Sequence, residues 1–289
     1  MASRDSQSFE PGSPKIAGGQ ALMLGLFFLC MFGVAPFAKA QGQSLLYLTN
    51  GDSSSLQAID TTTGNLVFSA TSSSGGYAVA VRNTIWINNI SNNGAAEYNP
   101  LTGAATGNTS PGSGTSNGEL LDGAASATAN FTLGWTGGGV VNVYSGGANW
   151  SNLSLLFTTP SSTPGSTPTD VMGITFDTVT NTLWLSDPNE IYQYSLGGTL
   201  LSQFPHVSER GSLAYQPSTN TFWYVPNSAS QPLLQYSPTG TLLRTLTTPL
   251  RSGNIWGAEF STVPEPSTVA LLGFGVVLVS MFTRKKRLR

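Results

Sequence analysis

Gly173-Ile-Thr-Phe-Asp-Thr-Val-Thr-Asn-Thr-Leu-Trp184-Leu185 and Leu213-Ala-Tyr-Gln-Pro-Ser-Thr-Asn-Thr-Phe-Trp223-Tyr224 are two copies of one pattern. Each runs from a short apolar stretch through an Asn-Thr turn into a segment that carries tryptophan. Downstream the match continues, Ile191-Tyr-Gln-Tyr194-Ser-Leu-Gly-Gly-Thr-Leu-Leu201 against Leu234-Gln-Tyr236-Ser-Pro-Thr-Gly-Thr-Leu-Leu243. Earlier copies are more diverged. Asn83-Thr-Ile-Trp86-Ile87 leads to Glu97-Tyr98-Asn-Pro-Leu-Thr-Gly103, and Leu45-Leu-Tyr-Leu48 leads to Ala58-Ile-Asp-Thr-Thr-Thr-Gly64. The most diverged copy is Asn130-Phe-Thr-Leu-Gly-Trp135, followed by Val140-Val-Asn-Val-Tyr144. Strands bearing Leu46, Trp86, Leu133, Trp184 and Trp223 then recur at intervals of 40, 47, 51 and 39 residues.

Repeats of this length, built from β-branched and aromatic strands with Thr-Gly or Asn-Thr turns, predict propeller blades rather than a helical solenoid. Alternation such as Thr84-Ile-Trp-Ile-Asn88 is common, and no stretch between residues 41 and 262 holds a 3.6-residue apolar period. Inner strands are expected at Tyr77–Val81, Leu120–Ala124, Val171–Phe176, Leu213–Tyr215 and Ile255–Phe260. The last has no hairpin after it, and the first hairpin, Leu45 to Leu66, has no inner strand before it. Joining the two would close one blade from both ends of the domain and leave no free edge. The expectation is an all-β propeller of about five blades over residues 41–260, with six blades or an open array as alternatives. Ala104–Gly118 and Thr158–Thr169 read as exposed loops between blades. The phrase Tyr98-Asn-Pro-Leu-Thr-Gly103 resembles the outer-hairpin motif of quinoprotein-like, NHL-like and YVTN-type propellers.

The two flanks read differently. Residues 1–40 have the form of an export signal: Arg4 and Lys15 in a polar leader, the apolar run Ala21–Ala35, then Pro36. Ala38-Lys39-Ala40 is a small-x-small site for signal peptidase, which places cleavage before Gln41. A retained N-terminal anchor is the alternative. Cys30 follows Leu29, where a lipobox needs a small residue. At the other end, Val263-Pro264-Glu265-Pro266-Ser267-Thr268 closes a linker at 261–268. An apolar run at 269–282 and a basic tail, Arg284, Lys285, Lys286, Arg287 and Arg289, come next. Fourteen residues span about 21 Å as a helix, so this transmembrane helix needs its flanks or a thinned bilayer to cross. The positive tail stays on the cytoplasmic side and leaves residues 41–262 outside.

Proline-glutamate-proline, short apolar helix and basic tail together resemble the PEP-CTERM sorting signal of Gram-negative bacteria. That resemblance implies recognition and cleavage by a membrane-embedded exosortase. It also implies a single-pass membrane intermediate, delivery to the cell surface or extracellular matrix, and association with exopolysaccharide or biofilm. Pro264 and Pro266 keep the segment extended and short of backbone donors, open to a protease.

Chemistry is sparse in the rest. Only 9% of the 289 residues are charged, and the chain has one Cys and one His, which leaves little for metal or thiol catalysis. Residues 41–262 hold four basic and eleven acidic residues, a net of −7, which excludes a nucleic-acid footprint. His206 with Glu209 is a conceivable dyad, and Asp187-Pro-Asn189-Glu190 offers hard oxygen ligands, but the spacing fits an Asx-type turn better than a calcium loop. Trp86, Trp184 and Trp223 recur at equivalent positions, as core residues do. Trp150 is irregular and is the candidate exposed aromatic. No catalytic, cofactor or metal site is assigned. The expectation is a non-enzymatic exported protein that binds exopolysaccharide or a surface protein, and the alternative is an exported lyase or hydrolase acting on cell-surface glycans.

Overall fold

The computed structural model describes residues 44–72, 76–89, 94–111, 120–135, 141–159, 171–206, 209–248 and 253–261. Residues 1–40, expected to be an export signal, the Pro-Glu-Pro motif, the apolar run and the basic tail lie outside them, as do residues 112–118 and 160–169 of the two expected loops. Among the described residues, twenty strands form five antiparallel four-stranded sheets. In chain order they begin with β1 (Leu45–Asn50), β2 (Ser55–Asp60) and β3 (Leu66–Thr71). The second sheet is β4 (Gly76–Val81), β5 (Ile85–Asn89), β6 (Gly94–Tyr98) and β7 (Ala105–Ser110). The third is β8 (Leu120–Ala125), β9 (Ala129–Trp135), β10 (Val141–Gly147) and β11 (Ser154–Thr158). The fourth is β12 (Gly173–Asp177), β13 (Thr182–Ser186), β14 (Glu190–Tyr194) and β15 (Leu200–Pro205). The fifth is β16 (Gly211–Gln216), β17 (Thr221–Pro226), β18 (Leu233–Tyr236) and β19 (Leu242–Leu246), and β20 (Gly257–Phe260) ends the domain.

β20 pairs with β1, Leu46 opposite Phe260 and Thr49 opposite Gly257, so the first blade reads β20-β1-β2-β3. The domain is a five-bladed propeller closed by strands from both of its ends, as the unmatched hairpin and inner strand require. All five expected inner strands are the inner strands observed, and Leu46, Trp86, Leu133, Trp184 and Trp223 all fall on the second strand of a blade. Ala105–Ser110 corrects the reading of a loop across Ala104–Gly118, because it is the outer strand of the second blade, with Ala95 opposite Ser110. An outer strand facing solvent on both sides buries almost nothing, so no apolar alternation marked it.

The inner strands follow one another around the axis as β4, β8, β12, β16 and β20. Each has an edge with no fifth strand to take its N–H groups, and an unpaired buried N–H is costly. Asp122 supplies the missing acceptor. β8 carries one extra residue between Leu120 and Gly123 relative to β9, and such a bulge re-aims a side chain. The carboxylate of Asp122 accepts Ile174 N of β12 at 3.1 Å and Leu213 N of β16 at 3.0 Å on Oδ2. On Oδ1 it accepts Ala258 N of β20 at 2.9 Å and its neighbour Gly123 N at 2.8 Å. β4 closes against the next residue, where a Cβ on Gly123 would sit 2.6 Å from Val79 O and 2.7 Å from Val79 N.

Side chains from the two sheet faces fill the spaces between blades. Trp184 meets Phe222 at 4.5 Å between ring centroids, and Phe131 stacks on Phe176 at 5.3 Å. At the rim the Thr-Gly and Gly-Gly turns repeat a contact. Gly64, Gly103, Gly198 and Gly240 have φ between +71° and +83° and rest against Leu246, Phe68, Phe157 and Phe204 of the preceding blade. A side chain there would meet both the backbone restriction and the neighbour. Arg244 adds a clasp at the closing seam, donating to Thr61 O at 2.6 Å and Thr62 O at 3.1 Å with its guanidinium 6.0 Å from the Trp223 ring.

The two ends of the propeller differ. Connections from first to second and from third to fourth strands lie at one end, here the turn end, with Ser44 and Ser261. Connections from second to third strands and between blades lie at the other, the loop end. Contacts join like with like: Arg82 to Ser126 O and Ala129 O at 2.6 Å on the turn end, His206 N to Asn189 O at 2.9 Å on the loop end. Replacing Gly123→Ala is expected to destabilise the domain by roughly 3 kcal/mol, because backbone of β4 must move to admit the methyl group. Chemical denaturation of the variant against the parent measures it, and an unchanged midpoint would contradict the close approach.

Candidate functional site

Four residues singled out in the sequence meet at the loop end of blades four and five. Asp187 follows β13, and its Oδ1 accepts Asn189 N at 2.8 Å and Glu190 N at 2.7 Å, the Asx-type turn expected of Asp187-Pro-Asn-Glu. Its Oδ2 accepts the Tyr192 hydroxyl at 2.9 Å. His206, just after β15, donates from Nε2 to the Asp187 carbonyl at 2.6 Å and lies 4.2 Å from the Tyr224 ring. Glu209 N donates to Pro188 O, and the Tyr224 hydroxyl donates to Glu209 O. Burial, and then the negative charge of Asp187, pushes the Tyr192 phenol up; burial with the charges of Glu209 and Asp187 does the same for Tyr224. Both hydroxyls therefore stay protonated donors.

Asp187, Glu190, His206 and Glu209 are thus gathered rather than scattered around the rim. The gathering is a loop clamp: the Asp187 carboxylate and the His206 Nε2 are already spent on neighbours. Among the described residues, no group of three or more His, Cys, Asp or Glu side chains is placed to hold a metal ion.

The tryptophans divide. Trp184 and Trp223 are buried, and Trp86 is half-buried between blades two and three. Trp150, expected to be exposed, is fully buried. The turn that carries it takes φ of 65° there and tucks the indole among Ala78, Ala80, Ala95 and Ala125, with Nε1 donating to Trp86 O at 3.2 Å. Four alanines leave the room that one indole fills, which is why the least regular aromatic is among the most deeply packed.

Two acids that sequence reasoning passed over occupy the axis. Asp122 and Glu259 are both fully buried, and a lone acid within each of the apolar stretches Leu120–Ala125 and Gly257–Phe260 was the available signal. Burial pushes both carboxyls up; the main-chain donors pull Asp122 back, while its charge pushes Glu259 further against the opposing pull of Arg82. Glu259 Oε1 accepts Phe260 N at 3.1 Å, and Oε2 is buried with no partner among the described residues.

The chain leaves the propeller at Ser261, whose Oγ donates to Arg82 O at 3.2 Å on the turn end. The segment beyond it is a sorting signal. Residues 262–287 match the PEP-CTERM protein-sorting motif. The match spans Val263, Pro264, Glu265, Pro266, Ser267 and Thr268, the apolar run and most of the basic tail, in agreement with the sequence reading. The motif implies processing by an exosortase and an exported protein sorted to the cell surface. No curated protein matches the sequence. Among solved structures, a protein of unknown function from Bacteroides caccae is similar at 13% identity and a TM-score of 0.44, over 70% of this chain and 72% of its own. Myxococcus xanthus glutaminyl cyclase is similar at 13% identity and 0.40, over 69% and 75%. A functionally unknown protein from Desulfotomaculum acetoxidans gives 13% and 0.41, over 73% and 68%. Likeness this faint carries no argument about function.

The axial acids set a pH dependence. A carboxyl raised in the folded state stabilises fully below its unfolded value, 4.5 for Glu259, and loses that contribution as pH rises through the folded value. Asp60 and Glu97, held low by hydrogen bonds from Thr62 and Thr63 and from Asn108 and Thr106 although burial acts against them, have the opposite sign and act only on the acid side. Thermal stability is therefore expected to fall as pH rises above about 5, by at most about 1.4 kcal/mol per pH unit for one group. Glu259→Gln, neutral and of the same shape, is expected to flatten that fall. An equal slope in thermal melts of parent and variant would refute the assignment.

Proposed function

We propose that the chain is an exported surface or extracellular-matrix protein whose propeller binds or scaffolds and does not catalyse, in association with exopolysaccharide or biofilm. The observation that carries this is the join at Ser261: the ring closes at Phe260, and the sorting motif begins at residue 262. Chain order thus couples a finished, closed domain directly to an export label. Support comes from the axis, where the Asp122 carboxylate has its oxygens committed to four backbone N–H groups. The net charge of −7 on residues 41–262 suits a soluble exterior domain and offers no polyanion patch. The turn Tyr98-Asn-Pro-Leu-Thr-Gly103 fits a propeller of the quinoprotein-like, NHL-like or YVTN type.

A second reading, a lyase or hydrolase acting on cell-surface glycans, is favoured by one observation, the gathering of Asp187, Glu190, His206 and Glu209 at the loop end. Extracted exopolysaccharide separates the two. Binding without shortened chains fits the first reading, and chain cleavage abolished by His206→Gln fits the second. Processing is tested on intact mass. In wild-type cells the mature protein is expected to lack the basic tail, and in cells without the exosortase it is expected to retain that tail in the membrane fraction. A mature surface protein still carrying Arg284–Arg289 would contradict the sorting half of the proposal.

A further inference from the structure

The large apolar side chains that the described residues leave in solvent are Val67, Leu101, Leu155, Val179, Leu201, Leu242 and Leu243. Single exposed apolar residues are ordinary, but their placement here is not random. Leu101, 74% exposed, lies in the turn between β6 and β7, and Val179, 66% exposed, in the turn between β12 and β13. Val67, Leu155, Leu201, Leu242 and Leu243 are the first or second residues of the outer strands β3, β11, β15 and β19, immediately after third-to-fourth-strand turns. All seven therefore lie at the turn end, and every blade contributes at least one.

Val67, Leu201 and Leu243 occupy the same structural position. Each is the unpaired bulge residue of its outer strand, opposite the steps Ala58/Ile59, Gln193/Tyr194 and Gln235/Tyr236. A bulge protects an exposed sheet edge by twisting it away. That protection needs no apolar side chain at the bulge, so the repeated Val and Leu call for another cause. Asp60 bends back onto Thr62 N and Thr63, and Asp177 onto Val179 N and Thr180.

Ser261 leaves from this same end. Seven residues, 262–268, separate it from the apolar run at 269–282. Even fully extended they reach no more than about 25 Å, so a chain whose apolar run sits in a bilayer keeps the turn end near the lipid surface. We propose that the ring of exposed Leu and Val at the turn end rests on the lipid bilayer while the sorting segment is still attached, which points the loop end, with Asp187 and His206, away from the membrane. The seven side chains enter the headgroup region around the base of the propeller, as apolar faces of interfacial proteins do. This inference rests on the sorting reading above, since it needs the membrane-held stage.

The test uses the full chain in vesicles of phosphatidylethanolamine and phosphatidylglycerol, with Cys30→Ser as background. Single cysteines at Leu101, Val179 or Leu201 on the turn end, and at Asp52 or Ser230 on the loop end, carry an environment-sensitive fluorophore. The turn-end labels are expected to shift to the blue and to be quenched several-fold by nitroxide lipids, while the loop-end labels remain as in water. Equal exposure of both sets on a chain that co-floats with the vesicles overturns the docked orientation and leaves the sorting reading standing. A chain that does not co-float overturns both. Turn-end labels that are shielded yet insensitive to nitroxide lipids mean that a second copy of the chain covers the ring, which also overturns lipid docking.

Discussion

A five-bladed ring brings five sheet edges to one narrow axis, and each edge carries main-chain N–H groups that no neighbouring strand can take. In this protein one carboxylate answers three of the other four inner strands. Asp122 reaches them because a bulge in β8 turns it out of the sheet, and its two oxygens then accept four N–H groups. Gly123 completes the ring on the remaining side by letting the main chain of β4 come within contact of its own. Two adjacent residues thus decide whether blades one to five can meet, and the apolar contacts between blades depend on that meeting. The arrangement is costly for a charge, and it persists because every acceptor position that the strands need is filled.

The two ends of the propeller are chemically different. The turn end is built from tight, internally bonded turns and carries the exposed Leu and Val together with the exit at Ser261. At the loop end, the clamp of Asp187, His206 and Tyr224 binds the connection before β14 to the connection before β16. Arg244 and the β20–β1 pairing hold the seam where the two ends of the domain meet. The last described strand ends at Phe260 and the sorting motif begins at residue 262, so removal of the motif takes no described strand out of the propeller.

Much of the fold was legible because a blade is a local object. Alternation within a strand, Asn-Thr and Thr-Gly turns, and the tryptophan of the second strand all lie within about forty residues of one another, and their recurrence marked every inner strand. Ala105–Ser110 escaped because an outer strand exposed on both faces leaves no apolar period. Trp150 misled because irregular spacing suggests a surface residue, whereas its burial depends on four alanines drawn from β4, β6 and β8. Of the site, the Asx turn at Asp187 could be read from its own residues. Its meeting with His206 and Tyr224 could not, since they lie farther along the chain, His206 after β15 and Tyr224 in another blade.

The amino-acid order alone determined the repeat, the five inner strands and their second-strand partners, the closing of one blade by both ends of the domain, and the sorting signal that opens at Val263. The repeat and its strands rest on interactions between residues near in sequence, the sorting signal on a linear motif, and the closure on the unmatched hairpin and inner strand that the repeat leaves at the two ends of the domain. Only the tertiary structure decided that Asp122 holds the axis, that Glu259 lies buried beside it, and that the exposed Leu and Val of five blades share one end. Those facts depend on which residues a closed ring brings together, and the same acid in Leu-Leu-Asp-Gly would be an ordinary solvated side chain in any sheet whose edge met water.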